Sequence, residues 1–217
     1  MRIGILGSGL MGGKLGTIWA RAGHDVVFSY SHSQKKLREL ADEAGGRARA
    51  GTPSEAVVDA DAVLLAVHWT RVDDVLAQVG ELSRKTLVTC SLPMSKDDTH
   101  LVVGFSTSGA ETLAAKVPGA HVVSAFSTAP SEVLFPLSRR RRRGKPLDLV
   151  YCGDHKGAKK TAATLIRAVG FNPVDLGGLS AARYVEPFSL LVAEIAYSGS
   201  KGPELAYRFE HLRKKAD

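Results

Sequence analysis

The sequence of 217 residues has only two cysteines, Cys90 and Cys152. They lie far apart, each in an apolar, strand-like run. That excludes a disulfide framework, and both are expected to be buried free thiols in a reducing cytoplasm. No apolar run approaches the ~18 residues of a spanning helix, so no membrane partner is expected. Met1 to Leu6 carries one basic residue and runs straight into glycines, and it is not read as a secretory leader. Aromatic residues are scarce, at 6%, and do not interleave with basic ones as a stacking groove would require. The net charge of +7 is partly local, because Arg139 to Arg143 and Lys145 supply six of the positive charges. The rest of the chain is near neutral, and no nucleic-acid partner is expected. The seven histidines show no metal-ligand spacing, and no Ser-His-Asp arrangement stands out.

What is present is ordinary globular composition, 44% hydrophobic and 24% charged, enough for a sizeable core. Short apolar runs alternate with helical patterns. Strands are expected at Ile3–Leu6, Val26–Ser29, Ala62–Val67 and Thr86–Cys90. Helices are expected between them, at Leu10–Ala22, from Ser33 to Glu43, and at Thr70–Val79. Thr52-Pro53-Ser54-Glu55 reads as a capping box with proline at the first helical position. The alternation predicts an α/β fold with a parallel sheet covered on both faces. Further along, a helix is expected at Ser108–Val117 and a strand at Ala120–Phe126. After the arginines come a strand at Leu147–Cys152, a helix at Asp154–Val169 and a strand at Phe171–Leu176. The tail from Leu179 to His211 reads as helices broken at Pro187 and at Ser198–Pro203. Its apolar residues Phe188, Leu190, Leu191, Val192, Ile195, Ala196 and Tyr197 exceed one helix face, which predicts a homodimer.

Gly7-Ser8-Gly9-Leu10-Met11-Gly12 fits G-x-G-x-x-G, directly after a buried strand and at the start of a helix. Gly7 allows the tight turn, Gly9 lets the backbone approach a pyrophosphate, and Gly12 lets the helix pack close. The free N–H groups of the helix start would meet the anion. At the end of the second strand, Phe28-Ser29-Tyr30-Ser31-His32-Ser33-Gln34-Lys35-Lys36 has no carboxylate and no arginine. A carboxylate there would hold a ribose 2′-hydroxyl and repel a 2′-phosphate. Tyr30, Ser31, His32, Lys35 and Lys36 instead offer donors, and NADP is expected rather than NAD. Val67-His68-Trp69 ends the third long strand where the middle of a dinucleotide would lie. His68 is either a ribose or phosphate contact or a structural strand-end residue, and Trp69 reads as packing. Arg84-Lys85 reads as a solvated turn. The arginine run reads as a solvated, mobile loop, or else as a device that steers an anionic acceptor.

These motifs, with Ser124-Ala125-Phe126-Ser127-Thr128-Ala129-Pro130, Cys152-Gly153-Asp154 and Asp175-Leu176-Gly177-Gly178-Leu179 through Pro187, occur in an order and spacing that resemble the NADP oxidoreductase, coenzyme F420-dependent family. The archaeal F420H2:NADP oxidoreductases belong there, and the cytosolic domains of six-transmembrane ferric reductases are similar. The resemblance spans nearly the whole chain. It implies a Rossmann NADP-binding domain at 1–137, a basic loop at 138–146 and a small C-terminal α/β or mostly helical domain at 147–217 for acceptor binding and dimerisation. It implies hydride transfer between nicotinamide C4 and a flavin-like or deazaflavin (F420) second substrate, with no obligatory acid or base. Matching positions would put the nicotinamide near Ser91, Leu92 and Pro93 and near Ala129, Pro130 and Ser131. The second ring would lie near Gly177–Leu179 and Gly199–Gly202. Two alternatives stay open: a non-catalytic NADP(H)-binding redox sensor, and a reductase of small carbonyls or imines. The latter would need a proton donor such as Tyr184, His68 or Ser91.

Overall fold

A computed structural model describes residues 1–31, 33–139 and 145–212. His32 and Arg140 to Arg143 therefore lie outside the described residues. One eight-stranded sheet runs through the molecule in the order β3-β2-β1-β4-β5-β6-β7-β8. Its strands are β1 (Arg2–Leu6), β2 (Asp25–Ser29), β3 (Arg49–Ala50), β4 (Ala62–Leu65), β5 (Thr86–Thr89), β6 (His121–Ala125), β7 (Asp148–Gly153) and β8 (Asn172–Asp175). The first six are mutually parallel, β7 is antiparallel to β6, and β8 is parallel to β7. β1 lies between β2 and β4 in register, Ile5 level with Phe28 and Leu64. The strand order thus reverses at β1, the switch point where α/β sheets open a crevice at their carboxyl edge. This is the expected doubly wound Rossmann-type sheet with a helical C-terminal region. Beyond the basic run, β7 and β8 continue the same sheet.

Helices cover both faces. On one side lie α1 (Leu10–Arg21), α2 (Gln34–Ala44), α6 (Leu134–Arg139) and α7 (Lys156–Val169). Trp19, Phe28 and Phe126 are fully buried there. The Trp19 and Phe126 rings meet edge to face at 5.8 Å, and Trp19 Nε1 donates to the Leu165 carbonyl at 3.1 Å. Burying a side chain of phenylalanine size contributes about 1.5–3 kcal/mol, so these rings join α1 firmly to β6 and α7. On the other face lie α3 (Pro53–Val57), α4 (Val72–Leu76), α5 (Gly109–Lys116) and α8 (Ala182–Ser198). Ser33 caps α2, Ser108 caps α5, and Thr52 with Glu55 completes a capping box on α3.

Four expectations change. The helix expected at Thr70–Val79 is a 3₁₀ turn at Trp69–Arg71 followed by the short α4. The strand expected to reach Val67 ends at Leu65, because the chain turns out of the sheet at the crevice. Pro187 does not break the tail: α8 runs through it for 17 residues. Pro187 sits on the exposed face, so water can reach the Arg183 carbonyl that loses its helical donor. Beyond α8 the tail is irregular, and Tyr207 fastens it. Its hydroxyl lies 2.8 Å from Thr128 Oγ1 and accepts from the Val150 N–H at 3.1 Å.

Candidate functional site

Two cavities open along the carboxyl edge of the parallel strands, one on each side of the start of α1. Gly7 has φ +101°, a backbone conformation that glycine adopts without strain, and a Cβ there would lie 2.4 Å from the Ala66 carbonyl oxygen. A Cβ on Gly12 would lie 1.9 Å from the Gly7 carbonyl oxygen. Gly9 has nothing within 4 Å of the same position and caps α1 with no side-chain hydrogen bond. The first turn of α1 holds no acidic residue. Its N–H groups and the positive end of the helix dipole are left for an anion. Ser8 Oγ donates to the Ser29 carbonyl at 2.9 Å and ties this loop to β2.

The first cavity, about 940 Å³, is lined by Gly7, Ser8 and Gly9, by Tyr30, Ser31 and Gln34 beyond β2, and by Thr52 and Pro53. Its opposite wall is Ala66, Val67, His68, Thr70, Arg71, Asp74 and Gln78. Tyr30 has φ +56°, an uncommon left-handed conformation for a bulky residue, and its hydroxyl donates across the cleft to Asp74 Oδ2. Burial and then the bond to Asp74 push the Tyr30 hydroxyl up to about 12, against the pull of the Arg71 charge. His68 Nδ1 lies 2.8 Å from Thr70 Oγ1, and Nε2 lies 3.0 Å from Asp98 Oδ1, so the ring is fixed from both sides.

The second cavity, about 270 Å³ and mostly apolar, is lined by Leu10 and Met11 of α1 and by Cys90 and Leu92 beyond β5. Phe126, Ser127, Ala129, Pro130 and Ser131 beyond β6 form another wall. Ser189, Val192, Ala193 and Tyr197 of α8 close it. Lys14 Nζ donates to the Ser131 carbonyl at 3.1 Å and to its Oγ at 3.0 Å, holding the Ala129–Ser131 wall against α1. Tyr197 donates to Glu132 Oε2 at 3.0 Å. Partial burial and that bond push its hydroxyl up to about 12.

The residues expected from sequence are thus divided. Gly7, Ser8, Gly9, Tyr30, Ser31, Val67 and His68 line the first cavity, and Leu10, Met11, Leu92, Ala129 and Pro130 the second. Lys35, Lys36, Trp69 and Ser91 line neither. Lys35 pairs with Glu39 at 3.7 Å and its side chain is 86% exposed. Lys36 gives its backbone N–H to the Ser33 cap. Trp69 packs on the core, and Ser91 Oγ donates to the Val67 carbonyl at 2.7 Å. His32 lies outside the described residues. The placement of a second ring near Gly177–Leu179 does not hold. Gly153 bonds to the Gly177 carbonyl level with Val123, so after β8 the chain runs toward the edge where β6 begins, away from Gly7. Sequence reasoning missed Arg71, Asp74 and Gln78, and it missed the lining of the second cavity by α8. The missed signal was position: the first turn after β4 must face the crevice once the order reverses at β1.

Comparison with known proteins agrees with this geometry. The family model described as NADP oxidoreductase, coenzyme F420-dependent, matches residues 2–93. The metalloreductase STEAP3 of Rattus norvegicus is 31% identical over 189 residues, which cover 87% of this chain and 36% of the relative. The chain therefore spans about a third of that relative's length. A structure from Arthrobacter sp. FB24, named as a candidate F420-dependent NADP-reductase, superposes with a TM-score of 0.85 at 20% identity, covering 97% of this chain and 100% of that one. The hypothetical protein SMa0349 from Sinorhizobium meliloti gives a TM-score of 0.73 at 26% identity over 97% of this chain and 96% of its own.

Proposed function

We propose, because the family model described as NADP oxidoreductase, coenzyme F420-dependent, matches residues 2–93, that the chain is an NADP(H)-dependent oxidoreductase that exchanges hydride with a flavin-like or deazaflavin (F420) acceptor. The observation that carries this is the pair of cavities meeting at an unblocked helix start, Gly9 in one and Leu10 and Met11 in the other. An extended dinucleotide fits that arrangement. Its pyrophosphate would face the N–H groups of α1. Its adenosine would lie with Tyr30, Ser31, Val67 and His68. Its nicotinamide would lie by Leu92, Ala129 and Pro130, with Ser91 and Trp69 supporting the walls. Bound NADP(H) supplies the transferable hydride. The chain supplies proximity and a dry, apolar wall that holds the acceptor ring against the nicotinamide, and this chemistry needs no acid or base.

Purified protein incubated with NADPH and, separately, F420, FMN, FAD and ferric chelates tests the proposal. Loss of nicotinamide absorbance with F420 or a flavin supports it. NADPH binding without oxidation by any acceptor would replace it with the redox-sensor reading. Among the donors expected for carbonyl or imine reduction, Tyr184 is 78% exposed, while His68 and Ser91 lie outside the apolar cavity. Tyr197 does line it, and that favours carbonyl or imine reduction as a second reading, tested by adding small ketones and imines to the panel.

The proposal includes a homodimer and a cytoplasmic location. Val192 and Ala196 are buried and Phe188 packs on Tyr207, so part of the apolar tail covers its own sheet. Tyr184, Leu191 and Ile195 remain exposed at i, i+7 and i+11, one stripe along α8. Light scattering giving a monomer at micromolar concentration would refute the dimer.

A further inference from the structure

We infer that Arg71, in the turn between β4 and α4, is the residue that selects a 2′-phosphorylated adenosine in the first cavity, and that Tyr30 keeps it available by occupying Asp74. This rests on the dinucleotide reading of the cavity and specifies its charge. The lysines nearest the end of β2 do not line the cleft, and Lys35 is engaged with Glu39. Arg71 lines it from the opposite wall, facing Tyr30, Ser31 and Gln34. Among the described residues its guanidinium makes no ion pair and no hydrogen bond; only its backbone N–H is used, bonding to the His68 carbonyl. Its five N–H donors are therefore unspent, and a planar fork suits a phosphate.

Asp74 is the natural partner for Arg71, three residues on along the same helical surface. The Tyr30 hydroxyl takes that carboxylate instead. The left-handed backbone of Tyr30 brings its side chain across the cleft to do so. The carboxylate missing from the end of β2 is thus present on the facing wall, held at a distance from the guanidinium. A 2′-phosphate would meet the free fork of Arg71. A plain 2′-hydroxyl has no charge to offer it.

The test is calorimetric titration of the full chain with adenosine 2′,5′-bisphosphate and with 5′-AMP, for wild type, Arg71→Ala, Arg71→Lys and Tyr30→Phe. Arg71 is exposed, so its replacements should fold, which thermal melts verify. Wild type should prefer the bisphosphate. Arg71→Ala should weaken that ligand by about tenfold, a charged hydrogen bond discounted for exposure, and leave 5′-AMP within about twofold. The loss should shrink as salt rises. Arg71→Lys should recover part of it, and Tyr30→Phe, by freeing Asp74 to pair with Arg71, should lower bisphosphate affinity more than that for 5′-AMP. If Arg71→Ala keeps the wild-type preference, or weakens both ligands equally, this inference falls while the NADP reading stands. If wild type itself binds both ligands equally, the NADP reading fails and takes the inference with it.

Discussion

Replacing Glu186 by alanine tests whether α8 is fastened to α5 through one buried carboxylate. Glu186 is 2% exposed. Its two oxygens accept from the backbone N–H groups of Gly109 at 2.9 Å and Ala110 at 3.0 Å, at the start of α5. Both donors belong to buried residues. Each donor left unpaired in the interior costs about 1–3 kcal/mol, so with two such donors Glu186→Ala should destabilise the fold by about 2–6 kcal/mol. For a chain of this size that lowers Tm by about 4–24 °C. Differential scanning calorimetry measures it, and a Tm within about 2 °C of wild type would refute the fastening. Glu186→Gln adds a signed pH test. Burial pushes the carboxyl above its ordinary value; the two N–H bonds pull it back, and neighbouring Glu111 pushes it a little further up. The folded state therefore holds this proton more tightly than the unfolded chain. The stability tied to it is fully present below the unfolded value and is lost as pH rises through the folded one. Glutamine has no such loss, so the stability of wild type relative to Glu186→Gln should fall as pH rises from the acid side. A rise in that difference would show that the two N–H bonds, and not burial, dominate. The consequence reaches the site, because α8 carries Ser189, Val192, Ala193 and Tyr197 into the apolar cavity.

Gly12→Ala should abolish NADPH binding in a fluorescence titration, since its Cβ would overlap the Gly7 carbonyl at 1.9 Å and force α1 away from the loop; retained affinity would show that the loop is not the pyrophosphate site. Tyr207→Phe removes the acceptor for the Val150 N–H and the partner of Thr128, and should cost about 1–3 kcal/mol in urea denaturation. The Cys152 thiol, fully buried and pushed up to about 12 chiefly by burial, should resist a thiol reagent at neutral pH until the protein unfolds; labelling of the native protein at the rate of a free thiol would contradict its placement.

The fold was legible wherever a short apolar run sat between turn signals. β1, β2, β4, β5 and β7 read as buried strands because both faces of a parallel sheet are covered, and their sequences are apolar without alternation. Thr52 announced one helix start through its capping box, and Ser33 and Ser108 prove to cap the helices expected to begin there. The tail was harder, because its signals conflict. Pro187 predicts a break, and only the exposure of that face in the folded chain removes the cost. The direction of the last two strands was also hidden. Nothing local to β7 states that it pairs antiparallel to β6, yet that reversal carries Gly177–Leu179 away from the crevice.

The same distinction separates the two sides of the candidate site. The glycine loop is legible because its requirements are backbone requirements, met within six consecutive residues and independent of what lies opposite. The charge that would recognise a 2′-phosphate has no such constraint. It can enter from any element that borders the crevice, and counting basic residues after β2 favoured Lys35 and Lys36 simply because they are near in sequence. Lys35 lies on the outer side of α2 with Glu39, where an i,i+4 ion pair stabilises the helix by a few tenths of a kcal/mol and says nothing about ligands. Arg71 is 40 positions beyond Ser31 in the sequence and shares its cavity. Carboxylates follow the same logic. The absence of Asp or Glu at the end of β2 does not make the cleft free of negative charge, because Asp74 faces it from α4. On the reading proposed above, nucleotide preference depends on whether Asp74 keeps its hydrogen bond to Tyr30 or pairs instead with Arg71. Exchanging Tyr30 should therefore alter the preference even though a phenol itself carries no charge at neutral pH.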